Sequence, residues 1–144
     1  MELFTIGYEG MTIKDFVQCL LRWKVNIVVD VRLNPISRKP FFSKTALIRQ
    51  LASNGVDYMH FKELGTPQSL RTALMSTGDY PKFMLEYREY AAIKVGVLNN
   101  LLSLVKSKRT ALMCLENDPE KCHRSVIAMM VKEIDGNGMR IQSL

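Results

Sequence analysis

The segment from Asn26 to Arg32 constrains the fold more than any other, because it is β-branched and nearly continuously apolar. Such a strand is expected where helices cover both faces of a parallel sheet. The short apolar run from Leu3 to Tyr8 stops at a glycine turn and predicts a second buried strand. Three further strands are predicted at Val56 to Lys62, Thr110 to Glu116 and Met139 to Leu144.

Amphipathic segments after the first two strands predict helices. Thr12 is a capping residue, and apolar side chains then recur at three- and four-residue spacing as far as Trp23. Residues 33 to 42 contain two prolines and are expected to form an irregular loop. Ser43 is expected to cap a second helix that stops at Asn54-Gly55.

The second half of the chain predicts longer helices. The connector after the third strand shows no clear pattern, but helix formers dominate from Pro81 to about Lys108. Gly96 or Asn99-Asn100 is the expected break between two helices there. Asp118-Pro119 is a cap followed by proline, so a last helix is expected from that point through Val131, ending at the Asp135 to Gly138 segment.

The alternation of strands and helices indicates one domain over residues 1 to 144, of the α/β class. We expect a mostly parallel sheet of about five strands with helices on both faces, in a Rossmann-like three-layer arrangement. A hydrophobic content of 47% fits such a packed core. No apolar stretch approaches the roughly 20 residues of a membrane span, and the first residues do not resemble a secretory signal. A cytoplasmic location, without a membrane partner, is therefore expected.

The three cysteines also fit a cytoplasmic protein. Cys19, Cys114 and Cys122 are an odd number in a chain without an export signal, which predicts free thiols. A disulfide between Cys114 and Cys122 is a minor alternative, since the Cys-x-x-Cys pattern of thioredoxin-like redox sites is absent. Cys19 lies within the first predicted helix and is interpreted as structural.

Polar residues leave the predicted strands at their carboxyl ends, where ligands bind in open α/β sheets. Tyr8 leaves the first strand, and Asp30 and Arg32 leave the second. Asp30 and Arg32 share a strand face, so a structural ion pair is one interpretation. The other makes Arg32 an anion ligand oriented by Asp30, because a guanidinium matches phosphate bidentately.

The fourth predicted strand and the helix after it carry the densest polar cluster. Glu116 at the strand end is the candidate general acid or base. Cys122, in the first turns of the expected helix, is the better candidate nucleophile, because a helix N-terminus lowers a thiol pKa. Cys114 is interpreted as a buried packing residue. Adjacent helical residues diverge by about 100°, so Cys122, His123 and Arg124 are not expected to act on one atom.

The sequence does not favour a metal or an organic cofactor. Neighbouring Cys and His side chains rarely bind the same ion, and no paired Cys-x-x-Cys motif is present, so no zinc site is predicted. Gly7 and Gly10 precede Asp30 by about twenty residues, but the dinucleotide fingerprint G-x-G-x-x-G is absent. The expectation is a site without metal or cofactor.

Several short motifs are spread over almost the whole chain, and each alone is weak. They are Thr5-Ile6-Gly7-Tyr8-Glu9-Gly10, Val29-Asp30-Val31-Arg32 with Pro35, Ser37 and Arg38, Phe42-Ser43-Lys44, Tyr58, His60, Leu64-Gly65, Cys114, Glu116 and Cys122-His123-Arg124. Together these motifs resemble the domain of unknown function family 488. The resemblance implies a compact α/β domain with a site at these motifs, and it implies no particular reaction.

Charge suggests the class of ligand. The formal net charge is +6, and residues 31 to 56 carry five basic residues and no acid, which raises the expectation of a phosphate-bearing partner. We expect a small hydrolase or transferase acting on a nucleotide, a nucleic acid or another phosphate-bearing ligand. Glu116, His123 and Cys122 are its candidate catalytic residues, and the candidate anion-binding residues are Tyr8, Asp30, Arg32, Arg38 and Arg124. The alternative is a non-catalytic nucleic-acid-binding module.

Overall fold

A computed structural model describes residues 1–136 and 138–144 and contains one sheet of five strands, all parallel. The strands are β1 (Glu2–Gly7), β2 (Ile27–Asp30), β3 (Asp57–His60), β4 (Thr110–Cys114) and β5 (Arg140–Ser143). Their order across the sheet is β3-β2-β4-β1-β5. The single α/β domain with about five parallel strands is therefore confirmed, and each strand lies within its predicted segment or within one residue of it.

Within the described residues, six helices connect and cover these strands. They are α1 (Ile13–Arg22), α2 (Lys44–Ala52), α3 (Gln68–Thr77), α4 (Tyr80–Ala92), α5 (Val95–Ser107) and α6 (Arg124–Asp135). Short 3-10 turns precede α3 at Lys62–Leu64 and α6 at Pro119–Lys121. No described helix has the length and apolar character needed to cross a membrane.

The two faces of the sheet are covered by different helices, as a three-layer arrangement requires. Phe4, Ile6 and Val28 point to one face, where they pack against α1 and α2. Leu3, Val29 and Leu112 point to the other face, against α4, α5 and α6. Because successive strand residues point in opposite directions, the apolar runs of β1, β2 and β4 are buried on both faces, as the sequence predicts.

The caps of the first two helices differ from each other. Thr12 caps α1 as predicted, with its hydroxyl accepting the Asp15 N–H at 3.1 Å. Ser43 occupies the cap position of α2, but its hydroxyl donates to the Ser37 carbonyl and accepts the Ser37 N–H instead. Ser43 thus fixes the irregular loop before α2 and not the first turn of the helix.

The helix break in the second half lies earlier than predicted. α4 ends at Ala92 and α5 begins at Val95, so neither Gly96 nor Asn99-Asn100 interrupts a helix. Gly96 lies in the first turn of α5 in open space, where a glycine is tolerated. The connector with no clear pattern contains α3, which shows no strong amphipathic pattern because none of its residues is buried.

The expected helix from Asp118 through Val131 is wrong in its first third. Asp118 caps only the 3-10 turn, Cys122 is extended at φ −137° and ψ 138°, and α6 starts at Arg124. The bond between the Cys122 sulfur and β4 holds this residue outside the helix. α6 ends at Asp135 and is capped by Gly136, which has φ +89°. Asn137, part of the predicted helix end, lies outside the described residues.

Candidate functional site at the carboxyl edge of the sheet

A polar cavity of about 200 Å³ opens at the carboxyl ends of β1, β2 and β4. This volume is below the roughly 300–1,000 Å³ of pockets for drug-sized ligands, so the cavity suits a small polar group or one end of a larger ligand. Its wall consists of Tyr8, Arg32, Leu33, Asn34, Ile36, Thr66, Arg71, Cys114, Leu115, Glu116 and His123.

The strand order explains why these residues meet. β4 lies in the centre of the sheet, with β2 and β3 on one side and β1 and β5 on the other. The chain therefore leaves β1 toward β2 and leaves β4 in the opposite direction, toward β5. A crevice forms at the carboxyl ends of the strands where the strand order reverses, because successive loops leave in opposite directions there. Tyr8, Arg32 and Cys114 follow or end the three central strands and face this crevice.

Arg32 is held by a buried network beneath the cavity. Its guanidinium makes a bidentate contact with Asp30, with Nε–Oδ1 at 2.9 Å and Nη2–Oδ2 at 2.7 Å. Nη1 donates to the Tyr8 hydroxyl and to the Phe42 carbonyl, and the Tyr58 hydroxyl donates to Asp30 at 2.5 Å. Burial raises the pKa of Tyr58 above its ordinary value, and the hydrogen bond to Asp30 raises it further. Burial is also the largest single effect on Arg32, whose pKa it lowers, but the hydrogen bonds and charge of Asp30 outweigh it, so the pKa of Arg32 is raised.

This network supports the structural interpretation of Asp30 and Arg32 more than the ligand-binding one. Asp30 is fully buried, does not line the cavity and neutralises Arg32. Four of the five guanidinium N–H groups of Arg32 have partners within the protein, which leaves at most one to meet a ligand. Arg32 therefore forms part of the cavity wall and can donate at most one hydrogen bond to a ligand.

Arg71 is the cavity cation that has no partner among the described residues. It lies on α3 and is exposed, and its guanidinium makes no hydrogen bond or ion pair within the described part of the chain. Its charge is close enough to His123 to help lower the pKa of that histidine. Sequence reasoning missed Arg71 because it lies outside the motifs, in the connector whose helix was not recognised.

Glu116 lies half-buried in the cavity wall, two residues beyond β4. Gly7 of β1 packs directly beneath the backbone of this residue: a Cβ on Gly7 would lie 1.8 Å from the Glu116 carbonyl oxygen. The Arg124 guanidinium holds the same segment from the other side by donating to the carbonyls of Glu116 and Asn117. The backbone that carries the Glu116 side chain is therefore held by both β1 and α6.

Arg124 is fully buried and does not line the cavity. Besides the two carbonyls, its Nη1 donates to the Cys114 sulfur at 3.0 Å, and its Nε has no partner among the described residues. Burial lowers the pKa of Arg124, although Glu116 and Asp118 act in the opposite direction. The position of Arg124 does not support the predicted anion-binding role, because its N–H groups donate to the loop that carries Glu116.

A disulfide joins Cys114 at the end of β4 to Cys122. The prediction of free thiols is therefore wrong for these two residues and holds for Cys19. The two sulfurs meet because the 3-10 turn at Pro119–Lys121 folds the chain back over the end of β4. Cys114, predicted to be a buried packing residue, lines the cavity, whereas Cys122, the predicted nucleophile, does not.

His123 is part of the cavity wall, and its Nε2 is hydrogen-bonded within the protein. Nε2 lies 2.8 Å from the Val31 carbonyl, which only accepts, so Nε2 carries the proton and Nδ1 presents a lone pair 3.7 Å from the Cys122 sulfur. The ring also packs edge-on against Tyr87. Burial lowers the pKa of His123 to about 4, so the imidazole is neutral near pH 7.

The structure thus brings together part of the predicted site. Tyr8, Arg32, Glu116 and His123 line one cavity, whereas Asp30, Cys122 and Arg124 lie behind its wall. Arg38 is exposed on the loop before α2 and does not reach the cavity. The remaining polar lining residues are Asn34, Thr66 and Arg71. They lie in segments without hydrophobic periodicity, so their positions were not predictable from the sequence.

One group of side chains in this site has the chemistry of a metal centre. The sulfurs of Cys114 and Cys122 and a carboxylate oxygen of Glu116 lie within 4.8 Å of one another. Zinc binds thiolates, however, and the two sulfurs are bonded to each other. In the disulfide form this group offers a single carboxylate, which does not fit a zinc site.

Comparison with known proteins gives a family and no described activity. The family model described as Domain of unknown function DUF488 matches residues 12–131. No curated protein and no solved structure matches this chain. The matched range contains every lining residue of the cavity except Tyr8.

Proposed function

Since the chain belongs to the DUF488 family, whose function is unknown, its activity has to be inferred from the site, and we propose that it is a small enzyme acting on a phosphate-bearing substrate. The observation that carries this proposal is the pairing, in one cavity, of a cation without a protein partner, Arg71, with a half-buried carboxylate, Glu116. The proposed location is the cytoplasm, where a reversible thiol pair is ordinary and a permanent disulfide is rare.

Arg71 is the proposed anchor for the phosphate. A guanidinium without a protein partner can make two parallel hydrogen bonds to phosphate oxygens. The hydroxyl of Thr66, the amide of Asn34 and the remaining N–H of Arg32 are further polar groups on the same wall. Because the charge of Glu116 repels an anion, the phosphate is expected at the Arg71 end of the cavity.

Glu116 is the proposed general base of a hydrolysis. It would take a proton from a water molecule as the water oxygen bonds to phosphorus, while the bond from phosphorus to the leaving oxygen breaks and that oxygen takes a proton from solvent. In group transfer, a substrate hydroxyl would replace the water. His123 is unsuited to this task because its Nε2 proton is held by the Val31 carbonyl, so its predicted catalytic role is replaced by a positioning role.

The first test is a thermal-shift screen with inorganic phosphate, nucleotides, sugar phosphates and short oligonucleotides. A ligand at about one hundred times its Kd stabilises the folded state by about 2.7 kcal/mol. Arg71→Met should remove this stabilisation, and Arg49→Met, an exposed arginine on α2 away from the cavity, should keep it. A screen without hits, or retention of the shift in Arg71→Met, would refute the anion site.

The second test separates binding from chemistry. Glu116→Gln should bind the substrate found in the screen and release no phosphate from it, whereas wild-type protein turns it over. If oligonucleotides instead bind with an affinity that falls steeply with salt, and Arg71→Met binds them equally well, the non-catalytic nucleic-acid module replaces the enzyme as the better proposal.

A further inference from the structure

The disulfide lies at the inner wall of the cavity, which is unusual for a bond that only staples a fold. Cys114 ends the central strand and lines the cavity, and Cys122 lies directly behind it. The loop that the bond closes is short, with a sequence separation of 8 residues. Loop-closure stabilisation grows with loop length, so a bond across so short a loop contributes comparatively little to the fold.

A buried cation faces the sulfur of Cys114. Arg124 is fully buried, makes no ion pair with any described carboxylate, and donates to Cys114 Sγ at 3.0 Å. A buried charge is costly unless it is paired. In the disulfide the sulfur is neutral, whereas a thiolate at the same place would give Arg124 a counterion in direct contact.

We propose that Cys114 and Cys122 form a thiol–disulfide exchange site, in which Cys114 is the nucleophile that reacts with small disulfides entering the cavity and Cys122 is the resolving thiol. The site goes beyond the proposed phosphate chemistry and does not depend on it, because exchange requires neither Arg71 nor a phosphate.

The exchange balances over two steps, starting from the dithiol. The Cys114 thiolate attacks one sulfur of an incoming disulfide, a mixed disulfide forms on Cys114, and one thiolate leaves. Cys122 then loses its proton and attacks the Cys114 sulfur, the Cys114–Cys122 bond forms, and the second thiolate leaves. Two cysteines are oxidised and one small disulfide is reduced to two thiols; an external dithiol reverses the cycle.

Other charged groups near Cys114 act in both directions. The Glu116 carboxylate lies 3.4 Å from the Cys114 sulfur and disfavours a thiolate there. Arg71 adds positive charge on the cavity wall, and Arg32 is already neutralised by Asp30. Arg124 is fully buried and donates to the Cys114 sulfur at 3.0 Å, whereas Glu116 is half-buried and lies farther away, so we expect the contact with Arg124 to favour a thiolate more than Glu116 opposes it.

The resolving thiol has its own partner. The lone pair on His123 Nδ1 lies 3.7 Å from the Cys122 sulfur, and in the reduced protein it accepts the Cys122 S–H hydrogen bond. That contact keeps the Cys122 sulfur directed toward Cys114 while Cys114 is occupied by a mixed disulfide.

The experiment uses the full chain carrying Cys19→Ser, which removes the one other described thiol. The protein is reduced with dithiothreitol, desalted without oxygen and mixed with glutathione disulfide. We expect two glutathione molecules released and no adduct retained. Adding Cys122→Ser should trap one glutathione on Cys114, seen by mass spectrometry, whereas adding Cys114→Ser should slow adduct formation about tenfold or more.

A pH profile distinguishes an activated thiol from an accessible one. In the Cys122→Ser protein, the rate of adduct formation should rise with a midpoint below about 7.5, compared with about 8.5 for an ordinary thiol. Arg124→Gln should raise this midpoint by at least about one unit, and Arg124→Lys should restore part of the difference. Should the Arg124 variants fail to fold, the midpoint of the Cys122→Ser protein decides the matter alone.

Three results would overturn the proposal. They are the absence of a trapped adduct on Cys114, a midpoint at or above that of an ordinary thiol, and a rate that changes when a chelator is added, which would mean that Cys114, Glu116 and Cys122 hold a metal. Glu116→Gln separates this proposal from the phosphate chemistry, since it should abolish turnover of a phosphate substrate and leave thiol exchange intact or faster.

Discussion

Replacing Asp30 with Asn should destabilise the protein more than any other single polar substitution near the site. The change leaves Arg32 buried at 8% exposure without its counterion. It also weakens the acceptor for the Arg32 backbone N–H and for the Tyr58 hydroxyl. Removing one partner of a buried pair costs about 3–5 kcal/mol, which is a large share of the roughly 5–15 kcal/mol stability of an ordinary domain.

Urea denaturation followed by circular dichroism measures this effect. With a slope of about 2 kcal/mol per molar urea, the midpoint should fall by about 1.5–2.5 M. Glu133→Gln is the matched control, because it breaks the exposed pair with Arg88 and should cost less than about 1 kcal/mol. A loss in Asp30→Asn as small as the loss in the control would show that Arg32 does not depend on Asp30.

Three further predictions concern the surroundings of the site. The free energy of unfolding should fall by about 3 kcal/mol as pH drops from 6.5 toward 4. The reason is that burial lowers the pKa of His123 to about 4, so the folded state keeps this side chain neutral while the unfolded state takes up a proton. Urea denaturation at several pH values should show a steeper loss of stability with falling pH for wild type than for His123→Asn, and equal slopes of stability against pH would contradict the assignment. Gly7→Ala should displace the Glu116 segment, because the new Cβ would lie 1.8 Å from the Glu116 carbonyl oxygen. The variant should lose about 1–3 kcal/mol of stability and should not bind phosphate at temperatures where it is still folded. Unchanged phosphate binding in calorimetry would argue against this packing. Tyr87→Phe should cost about 1–3 kcal/mol, because the buried Leu64 carbonyl loses its donor, whereas Tyr90→Phe, for which the structure gives no hydroxyl hydrogen bond, should be nearly neutral in thermal melts.

Local patterns predicted the elements whose cause is local. β2 followed from its β-branched apolar run, and α1 followed from the Thr12 cap and the apolar spacing. α3 was missed because it buries no residue and so carries no pattern of burial. The start of α6 was misplaced because the cause, the bond from Cys122 to β4, joins residues whose proximity depends on the tertiary fold.

The candidate site was predictable to a similar extent. Its location followed from the general rule for open parallel sheets, and Tyr8, Glu116 and His123 were found from it. The roles of the arginines were predictable only in part. The ion pair of Arg32 with Asp30 was one of two interpretations, but its bond to the Phe42 carbonyl at the end of the irregular loop was not foreseen. Arg124 is buried under the Glu116 segment, and Arg71 reaches the cavity from a helix above the sheet edge.

The central place of β4 has a consequence for how this chain folds during synthesis. β1 and β2 do not pair with each other; each pairs with β4, which begins at Thr110. A nascent chain that ends before this residue has an isolated first strand and a separate β2–β3 pair, with two apolar surfaces exposed on each. Assembly of the sheet must therefore wait until β4 has been made, and until then the growing chain is exposed to aggregation and to holding chaperones.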